Sequence, residues 1–427
     1  MRDVASSTAD DHRPPGSHSH AQQVLFTRQT KLFLRGLGTV RRQIWSSFGE
    51  VFGEVFGEVF AGFEESFGVA EFCGIAMAAV RDAALKISMT ALQRNVIPDV
   101  LLRWGVRKLL EGRLREITRP TLEAQMQELI SFVQSLKQMP IAVNTEDANA
   151  QHYEVPTEFY QLVLGKRLKY SSAYFPQKNS SLDEAEEAMF ALYAERAQLK
   201  DGQSVLDVGC GWGSLSMYIA EKYPNSKVTG VSNSETQKAF ITEECSKRGL
   251  SNVTIVTCDI NVFNIENTFD RILSIEMFEH MKNYEKLLKK ISSWLKPDGL
   301  LFVHIFVHKS IPYHFEDQGE DDWMSRNFFT GGTMPSNGLL LYFQDDVSIV
   351  NQWFVNGTHY ALTSEAWLVK MDAQIKVIRP IFAKAYGEGE VTKWVANWRT
   401  FFIAVAEMFA YRNGEEWGVG HYLFKKK

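Results

Sequence analysis

The pattern of apolar and polar residues changes near residue 204, and this change divides the chain into two parts. From Ser204 onwards, short apolar runs alternate with amphipathic stretches of helical period. The predicted strands are Ser204–Val208, Lys227–Val231, Val253–Thr257, Arg271–Ile275 and Leu300–Phe306. The predicted helices between them are Ser214–Lys222, Ser234–Lys247 and Asn283–Leu295. This alternation predicts an α/β fold, in which a parallel sheet carries helices on both faces.

The residues on either side of this alternation have other patterns. Between Arg81 and Met139, apolar residues recur at helical spacing, which predicts a helical front section. Lys296-Pro-Asp-Gly299 is a turn signal before the fifth predicted strand. The remainder, Ser310 to Lys427, mixes loop-like and helical stretches and ends in a predicted strand, His421–Phe424.

Composition narrows the class of protein. The chain has 427 residues, of which 45% are hydrophobic, enough for a packed core with extensions. A net charge of -5 gives no reason to expect a nucleic-acid partner. The spacings of the cysteines fit neither a zinc site nor a disulfide framework, so we expect no metal and a reducing, intracellular compartment. The cysteines are Cys73, Cys210, Cys245 and Cys258.

The N-terminal residues bear on location. The most apolar run there, Phe72–Val80, is followed by Arg81 and Asp82, and it is far shorter than the roughly 20 residues of a membrane span. We therefore expect no stable membrane insertion and a cytoplasmic protein. A mitochondrial destination stays open, because basic residues lie between Arg28 and Arg42.

A tandem Gly-Glu-Val-Phe repeat runs from Gly49 to Phe60. Its phenylalanines recur at helical spacing, as in an amphipathic helix that lies on a membrane surface. Such helices usually carry a basic polar face, whereas this one carries glutamates. We therefore favour repeat expansion in a tolerant extension.

The most informative segment is Val205-Leu-Asp-Val-Gly-Cys-Gly-Trp-Gly213, where a predicted strand enters a glycine-rich turn before a helix. Glycines let the backbone turn sharply and approach a ligand closely. The spacing of Gly209, Gly211 and Gly213 differs from that of dinucleotide folds, and the Walker Gly-Lys ending is missing. Together with Asp207, the turn predicts a site for a nucleotide-like ligand at the first strand–helix junction.

This segment resembles motif I of the class I S-adenosylmethionine methyltransferases, which have a Rossmann-like sheet. Within that class, the chain is similar to the cyclopropane-fatty-acid-synthase branch, and in that branch to the plant coclaurine N-methyltransferase type. The resemblance covers roughly Val100 to Lys427. It rests on Tyr153-Glu-Val-Pro156, Leu182-Asp-Glu-Ala-Glu-Glu-Ala-Met189, Glu195-Arg-Ala-Gln198, Asp201-Gly-Gln-Ser-Val-Leu206, Val228-Thr-Gly-Val-Ser-Asn-Ser-Glu-Thr-Gln237, Ile275-Glu-Met-Phe-Glu-His-Met-Lys-Asn-Tyr-Glu285, Glu320-Asp-Asp-Trp323, Tyr342-Phe-Gln-Asp-Asp-Val347 and Asn413-Gly-Glu-Glu-Trp417.

The resemblance implies a domain layout. We expect an N-terminal extension (1–80), disordered or loosely helical, then a helical section (81–150) and a methyltransferase domain (151–427). Within that domain, residues 310–420 are expected to cover the substrate.

The resemblance also implies S-adenosyl-L-methionine as cofactor. Most class I methyltransferases bind the ribose with an acid after the second strand, whereas Asn233 stands here, and an amide still offers a donor and an acceptor to a diol. Gln237 has two roles open to it, as a ribose ligand or as the partner of Ser234 in a capping box. The implied cofactor-binding residues are Tyr170, Ser171, Asp207, Gly209, Gly211, Gly213, Asn233, Gln237, Asp259, Ile260 and Ile275.

Two parts of the cofactor have further assignments by resemblance. Asp259 would accept from the adenine amino group, with Ile260 beside the ring. Tyr170 and Ser171 would close over the methionine part, so that the chain from Tyr153 to Phe175 forms a lid that excludes water.

Glu276, Glu279 and His280 are the candidate catalytic residues. If the segment opens a helix, spacings of three and four residues bring all three side chains to one side. Carboxylates attract a cationic amine, and a histidine, with an ordinary pKa of about 6.5, accepts a proton near neutrality. The resemblance assigns these positions to substrate binding and catalysis. A solvated helix start with acids at its positive end is the structural alternative.

Two groups of residues further along suit a flat cation but also have ordinary explanations. The acids between Glu316 and Asp322 would steer a cation, or form a solvated loop. The aromatic residues would form the walls of a substrate site, or belong to the core. They are Trp323, Phe328, Phe329, Tyr342 and Phe343.

We therefore expect an N-methyltransferase that acts on a small-molecule amine, benzylisoquinoline-like by family analogy. The alternative is a lipid enzyme that methylates or methylenates an unsaturated acyl chain. The lipid-modifying synthases have a Cys in their Tyr-Ser-Cys motif, where it helps to hold a bicarbonate base, and the coclaurine type usually has a Cys at or beside this place. Ser172 stands there in this chain. For the assembly, a homodimer stays open.

Overall fold

The computed structural model describes residues 87–143, 155–315, 323, 328 and 330–427. The Gly-Glu-Val-Phe repeat and the acidic run 316–322 lie outside these residues, as does the whole of the predicted N-terminal extension.

A seven-stranded sheet forms the centre of the fold. Its strands are β1 (Ser204–Val208), β2 (Lys227–Ser232), β3 (Val253–Thr257), β4 (Phe269–Ile275), β5 (Leu295–His308), β8 (Val347–Val355) and β9 (Trp417–Lys426), and a separate small pair is β6 (Tyr313–His314) and β7 (Thr333–Met334). The order in the large sheet is β3-β2-β1-β4-β5-β9-β8. Strands β1 to β5 are parallel, and β9 and β8 join them in antiparallel pairs. The α/β prediction is therefore confirmed.

Strands β5, β8 and β9 differ most from their predictions. Strand β5 begins at Leu295, before its predicted start, and residues 296–299 form the predicted turn within its bounds: Phe269 pairs with Leu295 and Arg271 with Leu300, while a Cβ on Gly299 would lie 3.0 Å from the Lys296 backbone nitrogen. Strand β8 lies in a region for which only loops and helices were predicted, ahead of the terminal strand. The terminal strand β9 is itself longer than predicted.

Helices connect the strands and cover the sheet. They are α1 (Asp99–Ile117), α2 (Leu122–Gln138), α3 (Thr157–Val163), α4 (Leu182–Arg196), α5 (Ser214–Lys222), α6 (Glu235–Arg248), α7 (Tyr284–Ser293), α8 (Thr358–Ala373), α9 (Ile375–Tyr386) and α10 (Val391–Ala410). Several begin at polar caps: Ser181 and Glu184 form a capping box at α4, and Ser234 and Asn283 cap α6 and α7. Within the described part of the chain, none of the helices has the length and apolar character needed to cross a membrane.

The core lies on both faces of the sheet. Consecutive residues of one strand join different clusters of buried side chains: Val205 belongs to one and Leu206 to the other, as do Leu273 and Ile272. Side chains alternate across a strand, so this division shows a sheet that is covered on both faces.

Candidate active site

Two adjoining cavities open at the carboxyl ends of the parallel strands, near the reversal of strand order between β1 and β4. This is where an open α/β sheet binds its ligands. Both cavities are lined by Gly209, Gly211, Gln237 and His280, so they share one wall. We call the cavity that contains Glu276 the first cavity and the one that contains Asn233 the second cavity.

The glycine-rich turn forms the shared wall. Gly209 and Gly211 have positive φ angles of 83° and 52°. A Cβ on Gly211 would meet no atom within 4 Å, so its backbone faces open space between the two cavities. Gly213, in contrast, lines neither cavity: its Cβ would lie 2.7 Å from the Ile241 side chain, so this glycine allows α6 to pack closely.

Asp207 stands near the end of β1 and lines the first cavity. Its carboxylate accepts a hydrogen bond of 2.7 Å from the Ser216 hydroxyl of α5. Burial raises the pKa of Asp207 to about 6, and the bond from Ser216 opposes this rise.

The second cavity brings together the side chains that the resemblance assigns to ribose and adenine. Asn233, Asp259 and Ile260 all line it. Asp259 Oδ1 accepts from the Asn261 backbone N–H at 2.7 Å, an interaction that fixes the turn after β3.

Gln237 lies between the cavities and is buried. Its backbone N–H donates to the cap residue Ser234 at 3.3 Å, while its side-chain oxygen accepts from the Ser232 hydroxyl at 2.7 Å. The side chain therefore does not close a capping box. It lies where a cofactor ligand is predicted.

Residues 168–171 form another wall of the first cavity, and they include Tyr170 and Ser171 of the segment for which a lid was predicted. The wholly buried ammonium of Lys169 donates to the Ser171 hydroxyl and, at 2.7 Å, to the Ser172 carbonyl. Burial lowers the pKa of Lys169 to about 8, against the attraction of nearby carboxylates, of which Glu276 is the strongest. The sequence analysis did not single out this lysine.

Glu276 is held by three hydrogen-bond donors from distant parts of the chain. Oε1 accepts from the Ser172 N–H at 2.9 Å and lies 3.0 Å from His304 Nε2, while Oε2 accepts from the Tyr360 hydroxyl at 2.7 Å. The residue has φ 48° and precedes a single 3-10 turn, Phe278–His280. This turn stands where the sequence analysis considered a helix, yet Glu276, Glu279 and His280 all line the first cavity.

The environment of the Glu279 carboxyl is the opposite of that of Glu276. Its side chain is buried, and Oε2 has no hydrogen-bond partner among the described residues. Burial, and then the neighbouring charge of Glu276, raise the pKa of Glu279 well above its ordinary value. Burial also raises the pKa of Glu276, but Lys169 and the donors oppose that rise. Of this pair, Glu279 is therefore the carboxyl that takes up a proton first.

Aromatic side chains complete the first cavity. Tyr360 and Trp367 of α8 and Phe401 of α10 line it together with Tyr170. These differ from the aromatic residues that the sequence suggested. Trp323 and Phe328 pack against each other, Phe343 is buried in the opposite core cluster, Tyr342 is partly exposed, and Phe329 lies outside the described residues.

His304 is a further residue that the sequence reasoning missed. It lies in the middle of β5, wholly buried, within a predicted strand that is otherwise a continuous apolar run. A lone histidine in such a run requires polar partners, and this requirement was the available signal.

Comparisons with known proteins identify relatives of this chain. The family model described as mycolic acid cyclopropane synthetase matches residues 142–415. The (S)-coclaurine N-methyltransferase of Thalictrum flavum subsp. glaucum is 48% identical over 340 residues, which are 79% of this chain and 94% of that protein. The pavine N-methyltransferase of the same plant is 44% identical over 339 residues, which are 79% of this chain and 95% of that protein.

A solved structure is similar over much of the chain. The crystal structure of a coclaurine N-methyltransferase bound to N-methylheliamine and SAH superposes with a TM-score of 0.79 at 46% identity, covering 80% of this chain and 100% of that one. The catalytic class and the cofactor follow: this chain is a methyltransferase that uses S-adenosyl-L-methionine.

Proposed function

Because the chain belongs to the mycolic acid cyclopropane synthetase family, in which its relatives include plant N-methyltransferases, we propose that it methylates the nitrogen of a small-molecule amine. The names of those relatives favour a benzylisoquinoline-like amine such as coclaurine. The first cavity would hold the amine and the methionine end of the cofactor. The second would hold the ribose and adenine, against Asn233, Asp259 and Ile260.

The observation that carries this proposal is the buried Glu279 carboxyl, whose Oε2 has no partner among the described residues and whose residue lines a cavity with aromatic walls. A buried polar atom is costly unless a ligand or water satisfies it. An ammonium would satisfy it, and Tyr360, Trp367 and Phe401 offer ring faces that attract a cation. An unsaturated acyl chain offers neither a donor nor a charge.

The proton chemistry follows from the same residues. An ammonium placed beside Glu279 favours the ionised carboxylate, so this carboxyl releases its proton to the solvent when the cation is captured. The amine must then lose a proton before its lone pair can attack, and His280, at the wall shared by the two cavities, is positioned to accept it. When bound, S-adenosyl-L-methionine supplies an electrophilic methyl group.

Glu276 is poorly suited to be the base, because donors already occupy both of its oxygens. The hydrogen bond between Glu276 and the Ser172 N–H helps to decide against the alternative of an enzyme that modifies unsaturated acyl chains. At the position where the lipid-modifying synthases use a Cys to help hold a bicarbonate base, this chain has Ser172, whose N–H is already bonded to a carboxylate of the protein. This arrangement favours the amine.

The deciding experiment is a methyl-transfer assay of the purified full chain with labelled cofactor. The acceptors are a panel of secondary amines that includes coclaurine, and vesicles of unsaturated phospholipid. We expect label on the amine nitrogen, with Glu279→Gln raising the KM for the amine. Glu266→Gln, at an exposed glutamate, is the matched control and should leave the KM unchanged. Label in the lipid and none in any amine would overturn the proposal.

Assembly, location and domain layout are part of the proposal. We propose a cytoplasmic location, with a mitochondrial one as the alternative, to be tested by microscopy of a tagged chain. A homodimer is the proposed assembly, to be tested by sedimentation of the purified chain. The proposed layout keeps residues 1–80 as an extension, 81–150 as a helical section and 151–427 as the methyltransferase domain, with 310–420 over the substrate. The contribution of Tyr360, Trp367 and Phe401 to the first cavity supports that covering role.

A further inference from the structure

A chain of hydrogen bonds leads from Glu276 through the sheet to a half-buried arginine. His304 Nε2 lies 3.0 Å from Glu276 Oε1, and His304 Nδ1 lies 2.8 Å from His421 Nε2 on the neighbouring strand β9. His421 Nδ1 lies 2.6 Å from an Arg196 guanidinium nitrogen at the end of α4. Both histidines are wholly buried. Tyr193 also reaches His304 Nδ1, at 2.9 Å.

The chemistry of the two ends fixes the direction of every bond in this chain. A guanidinium can only donate, so His421 Nδ1 is an acceptor and its Nε2 carries the proton. That proton is directed at His304 Nδ1, which leaves His304 with its proton on Nε2, directed at the Glu276 carboxylate. Burial lowers the pKa of each histidine well below its ordinary value, so both act as neutral rings with one proton each.

The chain is unsuited to proton relay. A relay needs an end that can release or take up a proton, and an arginine stays protonated in proteins. The arrangement instead aligns the two histidine rings and the Glu276 carboxylate, because each donor fixes the tautomer of the next ring. The Arg196 guanidinium also lies over the Trp353 ring, at 4.9 Å from its centroid, which holds it in place.

We propose that Arg196 is a remote positioning residue for the methyl transfer. Through His421 and His304 it sets the tautomer that donates to Glu276, and so keeps this residue as an aligned carboxylate beside Glu279. The fixed negative charge keeps the neighbouring Glu279 carboxyl protonated until a cation is bound. The inference rests on the proposed function only for its kinetic readout, since the tautomers are measured without substrate.

Other charged and titratable groups act on Glu276, and the test must separate them from Arg196. Lys169 of the lid segment attracts it, and Tyr360 of α8 donates to it. Tyr193 of α4 and Glu279 interact with its charge. The contacts of Lys169, Tyr360 and Glu279 do not pass through Arg196, so a change at residue 196 leaves them in place, whereas Tyr193 interacts with both Arg196 and His304.

The first test reads the tautomers directly. Histidine rings labelled with nitrogen-15 are observed by NMR in the full chain with S-adenosylhomocysteine, and the resonances are assigned with His304→Gln and His421→Gln. We expect protons on Nε2 in both rings of the parent protein. In Arg196→Met we expect His421 to lose its single tautomer. Unchanged ring signals in Arg196→Met would overturn the proposal whatever the substrate is.

The second test reads turnover against pH. With an accepted amine, we expect Arg196→Met to lower kcat and to move the acidic limb of its pH profile upward by about half a unit to one unit, the scale of a lost charge in a partly screened site. Affinity for the cofactor should stay within about twofold. Arg196→Lys, which keeps a cationic donor, should recover part of the shift.

The control for general destabilisation is Arg271→Met. Arg271 is also largely buried, but it donates to the carbonyls of Ala197 and Asp270 and does not touch the histidine chain. We expect this variant to lose stability with an unshifted pH profile. Equal shifts in Arg196→Met and Arg271→Met would show that Arg196 acts only through stability. A failure to find any accepted amine would leave the NMR result standing and would contradict only the proposed function.

Discussion

The backbone of Glu276 has a φ angle of 48°, a conformation that costs a residue with a Cβ roughly 1–2 kcal/mol. Hydrogen bonds from Ser172, His304 and Tyr360 to its side chain offset this cost. The strain turns the chain sharply after β4, so that Glu279 and His280 follow within one 3-10 turn and line the same cavity. Strain held at such a position is typical of functional sites.

The role of His280 can be tested by its pH dependence. If His280 accepts the proton of the amine, His280→Ala should lower turnover by roughly two to four orders of magnitude. The loss should shrink as pH rises, because more of the amine then arrives without its proton. The measurement is a pH–rate profile of variant and parent on one accepted amine. A loss by the same factor at every pH would replace the role of base with one of orientation.

The buried Glu279 predicts a pH dependence of stability. Its pKa is raised in the folded state, so between the unfolded and folded values the unfolded chain releases a proton that the folded chain keeps. Stability from this group is therefore present at low pH and falls as pH rises, by about 1.4 kcal/mol for each unit between the two pKa values.

Glu279→Gln removes that dependence. We expect the unfolding free energy of the variant, relative to that of the parent, to increase as pH rises from the ordinary glutamate pKa of 4.5 towards neutrality. Denaturant unfolding at several pH values measures this difference. The new amide, if it lacks an acceptor, would add a cost in unfolding free energy that is the same at each pH, so only the pH dependence of the difference between variant and parent is informative. Equal pH dependence in the two proteins would contradict the raised pKa of Glu279.

Gly211 offers a test of the cofactor cavity. In Gly211→Val the new side chain would project into the open space between the two cavities, and cofactor binding should be lost in calorimetry. Gly202→Val is the matched control. Gly202 also has a positive φ, 84°, and open space where a Cβ would lie, but it lines neither cavity. The control should lose stability and keep its affinity, and an equal loss of affinity in both variants would count against the glycine-rich turn.

Residues of the candidate site could be predicted from the sequence only where they belong to a motif of neighbouring residues. The glycine-rich turn and the Glu-Met-Phe-Glu-His run are contiguous, and their cavity-lining residues were identified. The Glu276 carboxylate interacts with residues from separate parts of the chain, so no local spacing in the sequence connects them. They are Lys169, through its charge, and His304 and Tyr360, through hydrogen bonds. Gly213 belongs to the same turn, yet its distinct packing role depends on Ile241 of another helix.

At the scale of the elements, α8 supplies Tyr360 and Trp367 to the first cavity, and its start is fixed by Gly357. A Cβ on this glycine would clash with the backbone carbonyl oxygens of Trp417 and Phe409. Backbone atoms of β9 and α10 therefore set the position of the helix.

Gly357→Ala should consequently displace the start of α8 and destabilise the fold by about 2 kcal/mol or more, the scale of overpacking in a core. Thermal unfolding measures the loss, and the KM for the amine should rise because Tyr360 moves. Gly338→Ala is the control, since a Cβ there meets nothing within 4 Å and its φ is ordinary. Equal melting temperatures for Gly357→Ala and the parent would contradict the close packing.

The parallel strands were predicted because each is a short apolar run bounded by turn residues, and β1 and β3 match their predicted limits. Strand β8 was missed because several of its residues are exposed or half-buried, which weakens the apolar signal of Val347–Val355. The turn predicted at 296–299 interrupts the pairing of β5 with β4, because no residue between Leu295 and Leu300 has a partner in β4.

For the whole molecule, the proposed layout predicts which part of the chain is needed for activity. Removal of residues 1–68 should leave methyl transfer intact, because this segment lies outside the family match at 142–415. The shortened chain, beginning at Val69, is compared with the full chain in the amine assay. A shortened chain that folds with an unchanged melting temperature but has lost most of its turnover would assign a function to the extension.

The position of β9 has a consequence for how the protein is made. Strand β9 is inserted between β5 and β8, so it forms ladders on both sides although it follows both strands in the sequence. During synthesis on the ribosome, the edges of β5 and β8 that pair with β9 therefore stay unpaired until β9 has been made. Unpaired strand edges are prone to pair with other chains. His421 lies on that same strand, so a nascent protein forms the contact between His304 and His421 only when its sheet closes. A premature stop codon within β9 should thus yield aggregated protein, and not a soluble enzyme with reduced activity.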